Sequence, residues 1–202
     1  MGQGTSLKVF LFTDLVGSTD LKRRLGDSVA AEAMGRHDVL FRDCLARFAG
    51  VEYDHTGDGF FAIFERPSDA LRCALAFQQE LPQLDLSERL SARIGIHMGE
   101  VVAKDLDVAD KRGKALVGLA IDMTARIMGL AQGNQILLTR HAFDSARQHL
   151  REAVKDSPIV WLAHGLYRFK GTDEPVEVYE AGLTGVSPMT APPDSEKAVQ
   201  VV

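Results

Sequence analysis

The chain has 202 residues, 46% of them hydrophobic, enough for one domain with a substantial core. Its net charge of −5 and scattered basic residues mark no surface built to hold nucleic acid. No apolar run nears the ~18 residues of a membrane helix, and the polar start at 1–6 lacks a secretory leader. Cys44 and Cys73 fall in helix-like segments and read as reduced thiols. The expectation is a soluble, cytoplasmic protein with no membrane partner.

In chain order, residues 8–13 predict a buried strand, and 15–25 a loop and short helix ending near Gly26. Asp27 or Ser28 is suited to cap a second helix, where Val29, Ala33, His37, Leu40, Cys44 and Phe48 recur at helical spacing until Gly50. Residues 51–56 alternate like a half-buried strand, Gly57-Asp58-Gly59 makes a hairpin turn, and 60–64 is the return strand. Pro67 opens a third helix with an apolar face of Ala70, Leu71, Ala74, Leu75 and Leu81.

Strand signals cover 90–97 and resume at 100–103, while the charged 105–114 reads as an exposed arm or loop. A helix over 116–130, a strand at 135–139, a helix at 142–150 and a strand pair at 167–170 and 176–179 follow. From Val186 the Pro/Ser/Ala-rich composition predicts a disordered tail. The order contains the βαββαβ pattern of ferredoxin-like or palm-type sheets, an α+β fold with a C-terminal strand-helix-strand extension. Such a fold hosts many activities and names none.

Two aspartates carry the chemistry. Asp14 ends the apolar run 9–12 and precedes a Gly-Ser-Thr turn, and Asp58 sits in a glycine-flanked turn before the apolar run 60–64. Two carboxylates at two strand ends suit a pair of divalent cations facing a nucleoside triphosphate. Taken alone, each has a plainer use, Asp14 as a helix N-cap and Asp58 as a turn residue.

Five stretches extend the pattern: FTDLVGST at 12–19, TGDGF at 56–60, RIGIHMGEV at 93–101, GLAIDMTARI at 118–127 and FKGTDEPVEVYEA at 169–181. With these motifs in this order, the chain resembles the class III nucleotide cyclases, the adenylate/guanylate cyclase catalytic domain family. The resemblance implies a lead at 1–6, a catalytic domain at 7–183 and a tail at 184–202. It implies conversion of a nucleoside triphosphate into a 3′,5′-cyclic monophosphate and pyrophosphate, on two Mn²⁺ or Mg²⁺ ions per site, in a head-to-tail homodimer. Asp14 and Asp58 match the metal-binding aspartates, and the Leu15 carbonyl would complete a metal shell. The backbone amides of Val16, Gly17 and Ser18 would receive phosphate oxygens. Arg126 matches the arginine that stabilises charge on the α-phosphoryl group, and Lys170 is a candidate triphosphate contact, its plainer use being a solvated strand-end lysine. An ion pair with Asp122, four residues away on a helix, is the plainer use of Arg126.

Three positions depart from the adenine-selective pattern: Asp54 in place of a lysine, Ala115 in place of an aspartate or threonine, and Asp122 in place of a ribose-positioning asparagine. Lysine donates to N1 of adenine, whereas an ionised aspartate only accepts. An acceptor suits guanine, uracil or cytosine. Together with the short layout, this leans to the pyrimidine cyclases of phage defence, with guanine next and a separately encoded cyclic-nucleotide effector as partner. A catalytically degenerate homology domain is the alternative that Asp122 keeps open, since a carboxylate beside a triphosphate is repulsive. His97 reads as a strand-end residue and His55 as a packing residue.

Overall fold

The computed structural model describes residues 5–86, 88–108, 111–150 and 158–201; of 104–114 it describes the backbone where given but not the side chains. The first element, β1 (Thr5–Leu15), outruns its expected span at both ends. Helices α1 (Ser18–Leu25) and α2 (Asp27–Arg47) follow, then β2 (Val51–Thr56), β3 (Gly59–Phe64) and α3 (Pro67–Glu80). Next come β4 (Ala92–Val108), β5 (Lys111–Val117) and α4 (Leu119–Leu130). The chain continues through β6 (Ile136–Thr139), α5 (Arg140–Leu150), β7 (Ile159–Phe169), β8 (Val176–Leu183) and β9 (Ala198–Val201).

All nine strands form one sheet, ordered β2-β3-β1-β4-β6-β8-β7-β9, with β5 paired to β4 off that path. The first four follow the βαββαβ pattern, with β1 antiparallel to both β3 and β4. The mixed α+β class therefore stands as expected. Alternation along β1 sorts its side chains by face. Val9, Leu11 and Leu15 join a core with α2, α3 and α5, whereas Phe10 and Phe12 join Phe61, Val101 and Ala120 on the α4 side. A third cluster, with Ile127, Leu137, Tyr167, Phe169 and Ala198, lies between α4 and the C-terminal strands. Among the described residues, no helix is long and apolar enough to cross a membrane.

Several expectations change. Neither Asp27 nor Ser28 caps α2; the cap position is Gly26, with no side-chain cap, because the turn between α1 and α2 needs its φ of 78°. Strand β2 is exposed along nearly its whole length, since it is the edge strand of the sheet. The two expected strands are one continuous β4, which begins at Ala92 rather than Leu90. The expected arm is a ribbon of β4 against β5 in the register Val102↔Val117, and its tip at 109–110 lies outside the described residues. That ribbon takes 116–117, so α4 begins at Leu119.

The expected disordered tail is instead packed along β7, with β9 registered Phe169↔Ala198 and Tyr167 Oη donating to the Pro192 carbonyl at 3.0 Å. Ala198 is its buried apolar anchor, and a buried Glu180 receives the Met189 amide at 3.2 Å. Composition alone does not register a strand that borrows its partner from elsewhere in the chain.

Candidate active site

Asp14 is the penultimate residue of β1, opposite Gly59 on one neighbouring strand and Arg93 on the other. Asp58 is the second residue of the two-residue turn closed by Thr56↔Gly59. Gly57 takes a φ of 65°, which glycine adopts without penalty. A Cβ on Gly59 would stand 2.7 Å from the Thr13 carbonyl oxygen and 3.7 Å from an Asp14 carboxylate oxygen. Bare backbone at Gly59 lets the turn close onto β1 and brings Asp58 and Asp14, both half-buried, to the same strand end.

Arg93 is a site residue that motif reading passes over. Its Nε donates to the Asp14 carboxylate at 2.9 Å, and its Nη2 donates to the same oxygen. The signal was available in the alternation of β4. Ile94 and Ile96 face the core shared with α3, so Arg93 faces the other side, where Asp14 pairs with it.

The loop after β1 is only partly the expected phosphate cradle. The Val16 amide donates to the Ser91 carbonyl at 2.9 Å, because pairing with the β4 side continues one residue beyond Leu15. Gly17 and Ser18 remain at the start of α1, with Gly17 at φ 73°. As a donor set, Asp14, Asp58 and the Leu15 carbonyl are all oxygen, which fits hard ions such as Mg²⁺ or Mn²⁺. Among the described residues no group of three or more His, Cys, Asp or Glu side chains gathers to cage a metal. Two carboxylates without a cage match an ion that completes its shell with water and substrate phosphate.

A second group forms elsewhere. Arg126, on α4, donates through Nη1 to the Lys170 carbonyl, and a Cβ on Gly171 would stand 3.6 Å from Arg126 Nη2. Arg126 and Lys170 line a cavity of about 390 Å³ together with Phe169, Ser195 and Lys197. The ion pair with Asp122 is not formed among the described residues; Asp122 is exposed in the first turn of α4. In the sheet order β7 lies four strands from β1, roughly 19 Å at ~4.8 Å per strand. One chain thus brings Asp14 to Asp58 and Arg126 to Lys170, but keeps the two pairs apart.

Two of the three positions expected to select the base, Asp54 and Ala115, flank the contact between Tyr53 and Leu116. Asp54 is exposed on β2, and its carboxylate accepts the His55 amide at 2.9 Å. A register shift between Glu52 and Asp54 sets off Tyr53, whose hydroxyl accepts the Leu116 amide at 2.7 Å. That bond ties β2 to β5 and brings Asp54 toward Ala115, a link that sequence alone does not show. His55 stacks on Phe60 at 4.3 Å between centroids, the packing role expected of it. His97 is not a strand-end residue; it lies inside β4, and its Nδ1 hydrogen-bonds Thr139 Oγ1 at 2.7 Å. Burial, reinforced by His141, holds its pKa down at about 4.

The profile of the "Adenylate and Guanylate cyclase catalytic domain" matches residues 5–166. "Adenylate cyclase 2" of Rhizobium meliloti is 31% identical over 147 residues, covering 65% of this chain and 40% of that protein. The chain therefore spans about two fifths of that relative's length. An adenylate cyclase of Trypanosoma brucei, solved in a monomeric state, superposes with a TM-score of 0.77 at 22% identity, covering 91% of this chain and 90% of that one. A non-canonical dimeric guanylyl cyclase domain from the aquatic fungus Blastocladiella emersonii gives 0.72 at 13% identity, covering 88% of this chain and 97% of that one. The two structures speak for the fold, and the profile match over most of the sequence decides the family: this chain belongs to the adenylate and guanylate cyclase catalytic domain family.

Proposed function

We propose that this chain is a nucleotide cyclase, forming a 3′,5′-cyclic nucleoside monophosphate and pyrophosphate from a nucleoside triphosphate at sites shared by two copies. The observation that carries this reading is the convergence of Asp14 and Asp58 at one strand end, with Arg126 and Lys170 converging four strands away. Two copies arranged head to tail would set each aspartate pair against the other copy's Arg126 and Lys170, giving two equivalent sites.

In the reaction the ribose O3′ bonds to the α-phosphorus as the bond to the pyrophosphate oxygen breaks, and the hydroxyl proton leaves to solvent. Two divalent cations, when bound, would ease that deprotonation and neutralise the leaving group. Asp14 and Asp58 would hold them. Arg93 orients Asp14 and adds positive charge on the triphosphate side. Arg126 would stabilise the charge that builds on the α-phosphoryl oxygens, and Lys170 that on the departing pyrophosphate.

The base is read as other than adenine. Asp54 offers an acceptor where adenine N1 needs a donor, which favours a pyrimidine, with guanine next.

The test is direct. Purified protein is incubated with Mn²⁺ and each of ATP, GTP, CTP and UTP, and products are identified by mass spectrometry. A cyclic product is expected, strongest with UTP or CTP, and Asp58→Ala should lower it by about 100-fold or more. Nucleotide binding with no cyclic product from any base would reject the cyclase reading. A cyclase working best on ATP would reject the base assignment.

A further inference from the structure

The segment after β8 supplies a residue to the cavity beside Arg126. Lys170 donates its backbone N–H to the Lys197 carbonyl at 2.8 Å, one residue beyond the pairing Phe169↔Ala198. Each lysine lies in a turn, and this hydrogen bond joins the two turns. Like charges held on adjoining backbone repel. Both lysines are exposed and line the same cavity as Arg126. Among the described residues, none of the three forms an ion pair with a carboxylate.

Lys197 is also held in place. Its amide donates to Ser195 Oγ at 3.2 Å, and Ser195 Oγ accepts the Ala198 amide at 3.1 Å. Ala198 next to it is buried against the cluster beneath α4. Three cations gathered without an anion are destabilising; an oligophosphate among them converts the repulsion into attraction. The match to the family profile ends at residue 166, so Lys197 comes from a part of this chain that the match does not reach.

We infer that Lys197 is a phosphate-binding residue, which completes with Arg126 and Lys170 a three-cation pocket for the oligophosphate of the substrate. The inference rests on the cyclase reading for its substrate, but the pocket is testable without turnover. Binding of inorganic tripolyphosphate with Mg²⁺ is measured by calorimetry on the full chain and on Lys197→Ala and Lys197→Arg.

Lys197→Ala should weaken binding roughly tenfold, as loss of one charged hydrogen bond does, while Lys197→Arg stays within about twofold. Without the anion, Lys197→Ala should melt no lower than the parent, since a like-charge pair has been relieved, and tripolyphosphate should raise its Tm less. Unchanged binding in Lys197→Ala, an equal loss in Lys197→Arg, or no tripolyphosphate binding by the parent chain would each overturn the assignment. Lys197-dependent binding in a protein that forms no cyclic product from any of the four triphosphates supports the pocket and removes the cyclase reading. Cyclic product with unchanged binding in Lys197→Ala does the reverse.

Discussion

Asp14 is held by a cation of its own chain, and this governs how single substitutions should act. The Arg93 guanidinium fixes one Asp14 oxygen through two donors. Arg93→Ala leaves that carboxylate without its orienting partner and should reduce cyclase activity about tenfold or more. Arg93→Lys should recover only part, because an ammonium lacks the planar fork. Cyclic nucleotide formation by the two variants at saturating Mn²⁺ is the check; equal activity in Arg93→Ala and the parent would remove Arg93 from the site.

Two histidines set a second expectation at this scale. Burial pushes His37 below its ordinary pKa, and burial with His141 nearby pushes His97 down to about 4. Both are neutral when folded and protonate more readily when unfolded. The unfolded chain therefore takes up more protons between about pH 6.5 and pH 4, and stability falls as pH drops through that window. Denaturant unfolding across pH 4–7 should show that loss, and His97→Asn should flatten part of it.

Among the elements, α4 lies hard against β4. A Cβ on Gly95 would stand 2.3 Å from the Met128 amide nitrogen, backbone that cannot move aside cheaply. Gly95→Ala should force the helix off the strand and destabilise the fold by roughly 1–3 kcal/mol. For a chain of this size that is about 2–4 °C of Tm per kcal/mol, readable by thermal unfolding. Because α4 also carries Arg126, the same variant should lose activity below its melting point. The C-terminal segment shows how an element hides from sequence. Val199 and Gln200 are exposed and only Ala198 is buried, so periodicity carries no strand signal, yet β7 supplies a pairing edge.

Over the whole molecule, the separation of the two residue pairs is what the proposed sharing of sites between copies would overcome. If sites form between copies, Asp58→Ala and Arg126→Ala homodimers are both inactive, and mixing them rebuilds one intact site in each heterodimer. With random exchange, half the dimers are mixed and half their sites are intact, so about one quarter of parental activity should return. Activity assayed after co-incubation gives the answer. No recovery, with exchange shown by differently tagged copies, would reject the shared site.

The motifs fixed much of this from sequence. Asp14 and Asp58 were legible because strand-turn chemistry is local: an apolar run, glycines and an acid within a few residues. The α+β class was legible because strand and helix periods differ. Arg93 and Tyr53 were not, since their roles depend on β1–β4 register and on a bulge meeting β5. Nor were the commitment of the Val16 amide to Ser91 and the arrival of Lys197 beside Lys170. Local sequence sets which residues can bind metal and phosphate. Only the pairing of distant strands, through backbone hydrogen bonds that carry no residue signature, decides which of them stand together and keeps Arg126 and Lys170 away from the two aspartates.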